Sequence, residues 1–469
     1  MKPSARTFWA VLALIALLLR TGVLYFGAQG LKEDPDAYRA YAVSMAKSGI
    51  FGLPDGTGTI RPSAYRPPLY PWLLHWGGAT LENDAAAILA IGSLHLLIGL
   101  ATCLLTAMVA MRLAGGLMPC SNEASSRLFA GCATLLVACD PILLNQSRLV
   151  MTETLATYLA LLGWWSWLRM LEPLPNADGG REGRPSHAGT GWAWVAGVFA
   201  GLAVLCRPTA WPTVLGMLAG LVFLGFAEKS PAQRAAHRRQ LVGLTMGLLL
   251  LAAPWVIRNQ LQLGSPIVMT THGGFTLYLA NNPSLYDHFG SGNYARQWDP
   301  EPFHHRWKEQ RDAFQKDGPV SELQMDQYAE QLAKETIAAR PLVFFQSCLA
   351  RLGWLWAWWP QQVAAGYAST IAIGCFYAVE SLLALWGLGS LVGWRCTTLS
   401  HRSERTGWWF WLPGLATMFT LSAIHAIYWS NMRMRAPAIP AVALLASLGA
   451  MQIVHRFVRM RPRRCEVSR

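Results

Sequence analysis

The sequence predicts an all-α polytopic membrane protein, and three observations carry that prediction. Of the 469 residues, 53% are hydrophobic and only 14% are charged. Apolar runs of about 20 residues, long enough to cross a hydrocarbon layer, recur along the whole chain. The Lys and Arg behind the net charge of +13 cluster in short segments between those runs, as they do in cytoplasmic loops. Basic residues placed in this way argue against a nucleic-acid partner and for the lipid bilayer.

The first run, near residues 8–28, starts like the apolar part of a signal peptide. It continues beyond the usual length without a small-residue cleavage pattern, so it is read as the first span. Further spans are expected near 86–111, 128–145, 149–168, 191–207, 208–227, 240–257, 371–393, 408–429 and 436–455, about ten in all. Lys2 and Arg6 precede the first span, Arg112 and Arg127 flank the loop after the second, and Arg181 and Arg184 lie in the linker 170–190. Lys229, Arg234, Arg238 and Arg239 follow the sixth span. These segments belong inside, together with both termini, the Arg-rich tail (Arg456, Arg459, Arg461, Arg463, Arg464) and the loop carrying Arg395, Arg402 and Arg405. The Pro/Gly/charged linker 172–190 is expected to be flexible and without chemistry.

This parity leaves two large outer segments, 30–85 and 258–360. The second opens with Gly273-Gly274 and Asn281-Asn282-Pro283, and a helix is expected from Ser321 to Ala339. Residues 341–359 are apolar enough to cross, yet counting them as a span would put the Arg395 to Arg405 loop outside. They are therefore laid in the outer interface, with Trp354, Trp356, Trp358 and Trp359 at headgroup level, Pro360 ending the helix, and Arg340 and Arg351 on its wet face. No internal repeat is evident, which gives no support to a repeat-built transporter. The nine Cys show neither a disulfide framework nor zinc-ligand spacing.

Candidate chemistry gathers at the outer face. Asp34 and Asp36 follow the end of the first span, where water is reachable and the local dielectric is low, so a carboxylate there has its pKa raised toward that of a useful base. The competing reading is that acidic residues start a surface helix, and Asp36 suits an N-cap better than Asp34. Arg66 stands in Tyr65-Arg66-Pro67-Pro68, where two prolines stiffen the mount of a guanidinium able to fork onto a phosphate. Its alternative is a snorkelling Arg at the start of an interfacial helix, Leu69 to Trp76.

Arg148, Arg207, Arg258, Arg433 and Arg435 all fall at outer ends of spans, where charge bias should have depleted them. With Arg66 they form a positive outer surface suited to an anionic lipid headgroup, while each alone is also a plausible helix C-cap. Glu153, in Met151-Thr152-Glu153-Thr154-Leu155, sits just inside the bilayer, where an ionisable group faces a cavity or a partner. Glu380 and Arg20 lie deeper and are expected to stabilise packing by pairing, with each other among the options. Asp140, before Pro141, is read in the same way. The histidines His272, His304, His305 and His425 form no metal-ligand pattern. Asp34-x-Asp36 alone is a weak metal clamp, so no cofactor is expected and a divalent metal is not favoured.

In this order and spacing, these runs resemble the membrane glycosyltransferases of the GT-C superfold. The likeness is to the family of dolichyl-phosphate-mannose protein mannosyltransferases and bacterial aminoarabinose transferases. It rests on Asp34 four residues before Tyr38, on Tyr65-Arg66-Pro67-Pro68-Leu69-Tyr70-Pro71, and on Met151-Thr152-Glu153-Thr154-Leu155. It continues with Cys206-Arg207-Pro208-Thr209, Pro254-Trp255-Val256-Ile257-Arg258-Asn259, Gly273-Gly274 through Asn281-Asn282-Pro283, and Arg433-Met434-Arg435 with Pro437 and Pro440. The resemblance implies one GT-C type transmembrane domain over 1–469 in a bacterial inner membrane, with its active site on the outer face. It implies inverting transfer of a monosaccharide from a polyprenyl-phosphate-linked donor to a hydroxyl of an acceptor glycan, lipid or protein. Asp34 would be the base, Glu153 the second acidic residue, and Arg66, Arg258 and Arg433 or Arg435 the contacts to the carrier phosphate. The chain departs from the aminoarabinose branch in having Tyr-Arg-Pro-Pro where Lys-Pro-Pro is usual, which leaves the acceptor open. The alternatives are a lipid-linked-sugar flippase or other transporter, a non-catalytic assembly subunit, and an oligosaccharide transferase or ligase using a pyrophosphate-linked donor.

Overall fold

The computed structural model describes residues 5–81, 83–117, 123–171, 187–292, 298–316, 318–360, 366–397 and 404–460. The expectations for the linker between the fourth and fifth spans, for Arg402 and for the tail beyond residue 460 fall outside them. Along the chain, α1 (Ala5–Gly27) leads through a short 3-10 turn into the first outer segment, which holds α2 (Tyr38–Ser48), a hairpin of β1 (Gly52–Pro54) and β2 (Ile60–Pro62), and α3 (Leu69–Trp76). Then follow α4 (Asp84–Leu117), α5 (Glu123–Cys139), α6 (Pro141–Gln146), α7 (Glu153–Leu171), α8 (His187–Cys206), α9 (Trp211–Ala227) and α10 (Pro231–Leu263). The second outer segment contains α11 (Gly273–Ala280), α12 (Pro283–Gly290), α13 (Glu301–Phe314), α14 (Glu322–Ala339) and α15 (Pro341–Leu355). The chain returns through α16 (Tyr367–Thr397), α17 (Leu412–Ile427), a 3-10 turn at Met432–Ala438, and α18 (Ile439–Met460).

Among the described residues, eight helices are long and apolar enough to cross a membrane: α1, α4, α8, α9, α10, α16, α17 and α18, four of them extended by an adjoining 3-10 turn. Of the ten expected spans, those at α5 and α7, of 17 and 19 residues, are not among the eight. They pack inside the bundle, where α4, α5, α7 and α18 share a core that includes Val109, Phe129, Trp164 and Leu445. Large apolar side chains such as Leu18, Phe226, Leu250 and Phe419 are exposed on the outside of the bundle, as lipid-facing positions require.

Two seams are set by glycine, which lets backbones approach closely. A Cβ on Gly387 would lie 2.0 Å from the Leu445 carbonyl oxygen, and one on Gly449 would lie 2.0 Å from that of Leu383, which locks α16 to α18. Gly197 would meet the Leu244 carbonyl at 2.2 Å, joining α8 to α10.

The expected span 128–145 is broken. Pro141 cannot continue a helix, and Asp140 adopts an extended backbone whose Oδ1 accepts the Leu143 N–H at 2.8 Å, starting α6 anew. The partnering of buried charges also differs from expectation. Arg20 donates to the Val137 carbonyl at 3.4 Å and to Cys103 Sγ at 3.8 Å, not to Glu380. Glu380 is in the electrostatic reach of Asp140 and Arg435.

The helix expected from Ser321 is α14, and it begins with a capping box: the Ser321 N–H donates to Gln324 Oε1 at 2.9 Å, and the Gln324 N–H donates to Ser321 Oγ at 3.3 Å. The helix α15 carries an exposed apolar stripe of Leu342, Phe345 and Leu349. Arg351 is not on a wet face but fully buried beneath it. Its Nε donates to the Ala426 carbonyl at 2.8 Å and its Nη1 to the Ala280 carbonyl, so it satisfies orphan acceptors at the ends of α17 and α11. Arg340 stays exposed and pairs with Asp287.

Candidate active site

The site is built on a tight turn after α1. The Ala37 N–H donates to the Asp34 carbonyl at 3.0 Å, and Ala37 adopts φ 60°, the one positive φ outside glycine among the described residues. A side chain there costs about 1–2 kcal/mol. The reversal carries the Asp34 carboxylate back over the start of α2, where Oδ2 accepts the Ala40 N–H at 2.9 Å. Asp34 Oδ1 is buried and has no hydrogen-bond partner. Burial raises the Asp34 pKa above its ordinary value; the Ala40, Arg39 and Tyr38 amides oppose the shift and Asp36 adds to it. The helix-start role expected of Asp36 thus falls to Asp34. Asp36 instead pairs with Arg66, Oδ1 to Nη2, at 2.8 Å.

Arg66 is held on several sides. Its guanidinium lies 5.6 Å from the Tyr38 ring centre and 5.1 Å from that of Tyr65, and its Nε is buried without a partner. The Tyr65 ring meets His272 edge-on at 4.3 Å. Burial and then the Arg66 charge lower the His272 pKa to about 3, so this imidazole is neutral at physiological pH. Its Nδ1 is buried and unpartnered.

The second half of the site starts at α7. Glu153 is 1% exposed, and its Oε1 lies 3.0 Å from Arg207 Nη1 and 3.8 Å from Arg433 Nε. Arg207 occupies the extended break between α8 and the turn opened by Pro208, and its Nη2 also donates to Met434 Sδ at 3.1 Å. Arg433 projects from the 3-10 turn before α18, which Asn431 caps through its side chain.

Tyr38 joins the halves. Its phenol is raised in pKa chiefly by burial, and the charges of Arg66, Asp36, Arg207 and Glu153 all act on it. Tyr38 packs edge-on against Tyr70 at 5.3 Å, and the Tyr70 hydroxyl hydrogen-bonds to His95 Nε2 at 2.7 Å. The Tyr70 phenol in turn feels both Asp34 and Glu153. A small cavity of about 60 Å³ lies beside Arg207 between α7, α8, α9 and α17, lined by small and apolar residues such as Leu159, Gly163, Ala200 and Leu421.

Three expected phosphate contacts are committed elsewhere. Arg258 donates from Nη1 to the Ser63 carbonyl and from Nη2 to the Phe51 carbonyl, both at 2.7 Å, and so straps the first outer segment to α10. Arg435 is buried and donates to the Leu355 and Ala357 carbonyls at 3.0 and 2.9 Å, with its guanidinium 4.4 Å from the Tyr377 ring centre. Arg148 hydrogen-bonds Asn145 Oδ1 at 2.9 Å and lies against Gly27. Tyr38, Tyr65 and His272 were not anticipated as site residues. The signal available was adjacency of aromatic side chains to the charged motifs. Among the described residues no group of three or more His, Cys, Asp or Glu is placed to hold a metal ion.

No family model matches the chain, and no curated protein matches it in sequence. Solved structures do. The oligosaccharyltransferase AglB from Archaeoglobus fulgidus, in complex with an inhibitory peptide and a dolichol-phosphate, superposes with a TM-score of 0.50 at 13% identity, over 96% of this chain and 50% of that one. The Archaeoglobus fulgidus oligosaccharyltransferase in complex with Zn and sulfate gives a TM-score of 0.50 at 13% identity, over 96% and 49%. ArnT from Cupriavidus metallidurans bound to undecaprenyl phosphate gives 0.41 at 14% identity, over 96% and 78%. The chain spans about half the length of the archaeal enzyme. The likeness over nearly the whole of this chain shows that it shares the fold of the membrane portion matched in the archaeal oligosaccharyltransferase, and its eight long apolar helices are those of a polytopic membrane protein.

Proposed function

We propose that the protein transfers a glycosyl group from a polyprenyl-phosphate-linked donor to an acceptor hydroxyl at the outer face of the membrane. The observation that carries this reading is the convergence of Arg207 and Arg433 on the buried Glu153, beside the packed Tyr38–Tyr70 pair that also feels Asp34, whose Oδ1 is free. The apolar surface beside Arg207 suits an isoprenoid tail, Arg207 and Arg433 suit the phosphate, and Asp34 suits the hydroxyl. Arg66 contributes when Asp36 releases it.

In the reaction the acceptor oxygen forms a bond to the anomeric carbon as the bond from that carbon to the phosphate oxygen breaks. The electron pair of the broken bond stays on the carrier phosphate, and the acceptor proton passes to Asp34 Oδ1. Attack from the side opposite the phosphate inverts the anomeric centre. Base catalysis of this kind contributes about 10²- to 10⁴-fold, and charge stabilisation of the leaving phosphate about 10²- to 10³-fold for each well-placed donor.

The test is transfer by the purified protein from radiolabelled polyprenyl-phosphate sugars to membrane, lipid or protein fractions. Asp34→Asn keeps an acceptor for the Ala40 N–H and loses the base, so turnover falls about 10²- to 10⁴-fold while the protein still folds. Turnover near that of the wild type would remove Asp34 from the mechanism.

A further inference from the structure

Glu153 raises a question that the transfer reaction leaves unanswered. A site for an anionic lipid gains nothing in affinity from a carboxylate placed between its two cationic residues. The ion pairs are also incomplete: Glu153 Oε2 has no hydrogen-bond partner, and neither Arg207 Nη1 nor Arg433 Nε forms a well-aligned hydrogen bond. The two arginines differ in commitment. Arg207 is close to Glu153 at 3.0 Å, is 13% exposed and has a second partner in Met434. Arg433 is further away at 3.8 Å, is 34% exposed, and its side chain has no other partner among the described residues.

We infer that Glu153 competes with the carrier phosphate for Arg433 and gives up this arginine to the phosphate when the lipid binds. Two guanidiniums held close in a low-dielectric pocket repel each other, and a shared anion keeps them together. The phosphate, with more acceptor oxygens than the single carboxylate oxygen now in use, takes over the more exposed partner, while Arg207 remains anchored. Glu153 then competes for Arg433 throughout the cycle, so it weakens the hold on the spent carrier and hastens its departure. Arg66 is paired in the same way, with Asp36 occupying Nη2 at 2.8 Å. Glu153 is thus a positioning residue, and this role rests on the reading of the site as a polyprenyl-phosphate site.

The test is binding of undecaprenyl phosphate to the full chain in nanodiscs of fixed lipid composition, with melting followed in parallel. Glu153→Gln should bind the lipid phosphate roughly tenfold more tightly, within the usual range of coupling between sites, chiefly through slower dissociation. In an Arg433→Gln background the same change should bring no gain. Equal or weaker binding by a folded Glu153→Gln protein, or an equal gain without Arg433, overturns the inference. If Glu153→Gln does not fold, Glu153→Asp decides: withdrawing the charge from Arg433 should tighten binding by a smaller factor, and unchanged or weaker binding overturns the inference. Failure of the wild-type protein to bind undecaprenyl phosphate would instead overturn the proposed function, so the two failures are distinguishable.

Discussion

Asp34 is buried with Oδ2 accepting one amide and Oδ1 without a partner, and this sets both its chemistry and its energetics. Because its pKa in the fold is raised, the protonated form is the one that folding favours. Its contribution to stability is therefore present at low pH and lost as pH rises through the folded value, whereas the base is active only above that value. The rate should fall as pH is lowered, with a midpoint above the ordinary 3.8. A pH profile of kcat/KM whose acid limb lies at or below 3.8 would contradict this placement. For the same reason Asp34→Asn should melt no lower than the wild type. The motifs made Asp34, Arg66, Glu153 and Arg207 legible, since each stands next to a proline or a helix end that limits where its side chain can go. Arg258 and Arg435 were not separable from them. An arginine at the outer end of a span reads the same from sequence whether it faces a cavity or clamps main-chain carbonyls.

At the scale of elements, long apolar runs made the eight spanning helices readable, and the helix expected from Ser321 to Ala339 is α14. The hairpin of β1 and β2 was not readable because each strand has only three residues and no alternation to detect. The halves of the outer region meet through side chains that no local pattern reveals: Glu322 Oε2 accepts the Ala64 N–H and the Thr271 hydroxyl, both at 3.1 Å. The same helix presses on α11, where a Cβ at Gly274 would lie 1.9 Å from the Asp326 carbonyl oxygen. Gly274→Ala must therefore push α11 away from α14 and shift His272 beside it. Limited proteolysis should cut the outer region faster in this variant while the spans remain protected, and an unchanged cleavage rate would show that the seam tolerates a methyl group. Ala37 offers the opposite change. Ala37→Gly relieves a left-handed backbone and should raise stability by about 1 kcal/mol, measurable as a shift in melting.

At the scale of the whole molecule, the site lies where three separately anchored bodies meet. The first outer segment is strapped to α10 by Arg258. The α7 and α8 ends bring Glu153 and Arg207 together. The turn before α18 delivers Arg433, and it is anchored in turn by Arg435 to the carbonyls of Leu355 and Ala357 at the end of α15. Sequence parity predicts an interfacial position for α15, which carries an exposed stripe of Leu342, Phe345 and Leu349. What sequence did not show is that this helix is tied to the turn that carries a site residue.

That tie has a mechanical consequence. A helix lying flat among lipid headgroups rises or sinks with the surface on which it floats, and here it carries the mount of one arginine with it. Reconstitution across acyl chains of increasing length should therefore yield an optimum in turnover, flattened in Arg435→Gln, which cuts the tether. The protein would then report the thickness of its own bilayer.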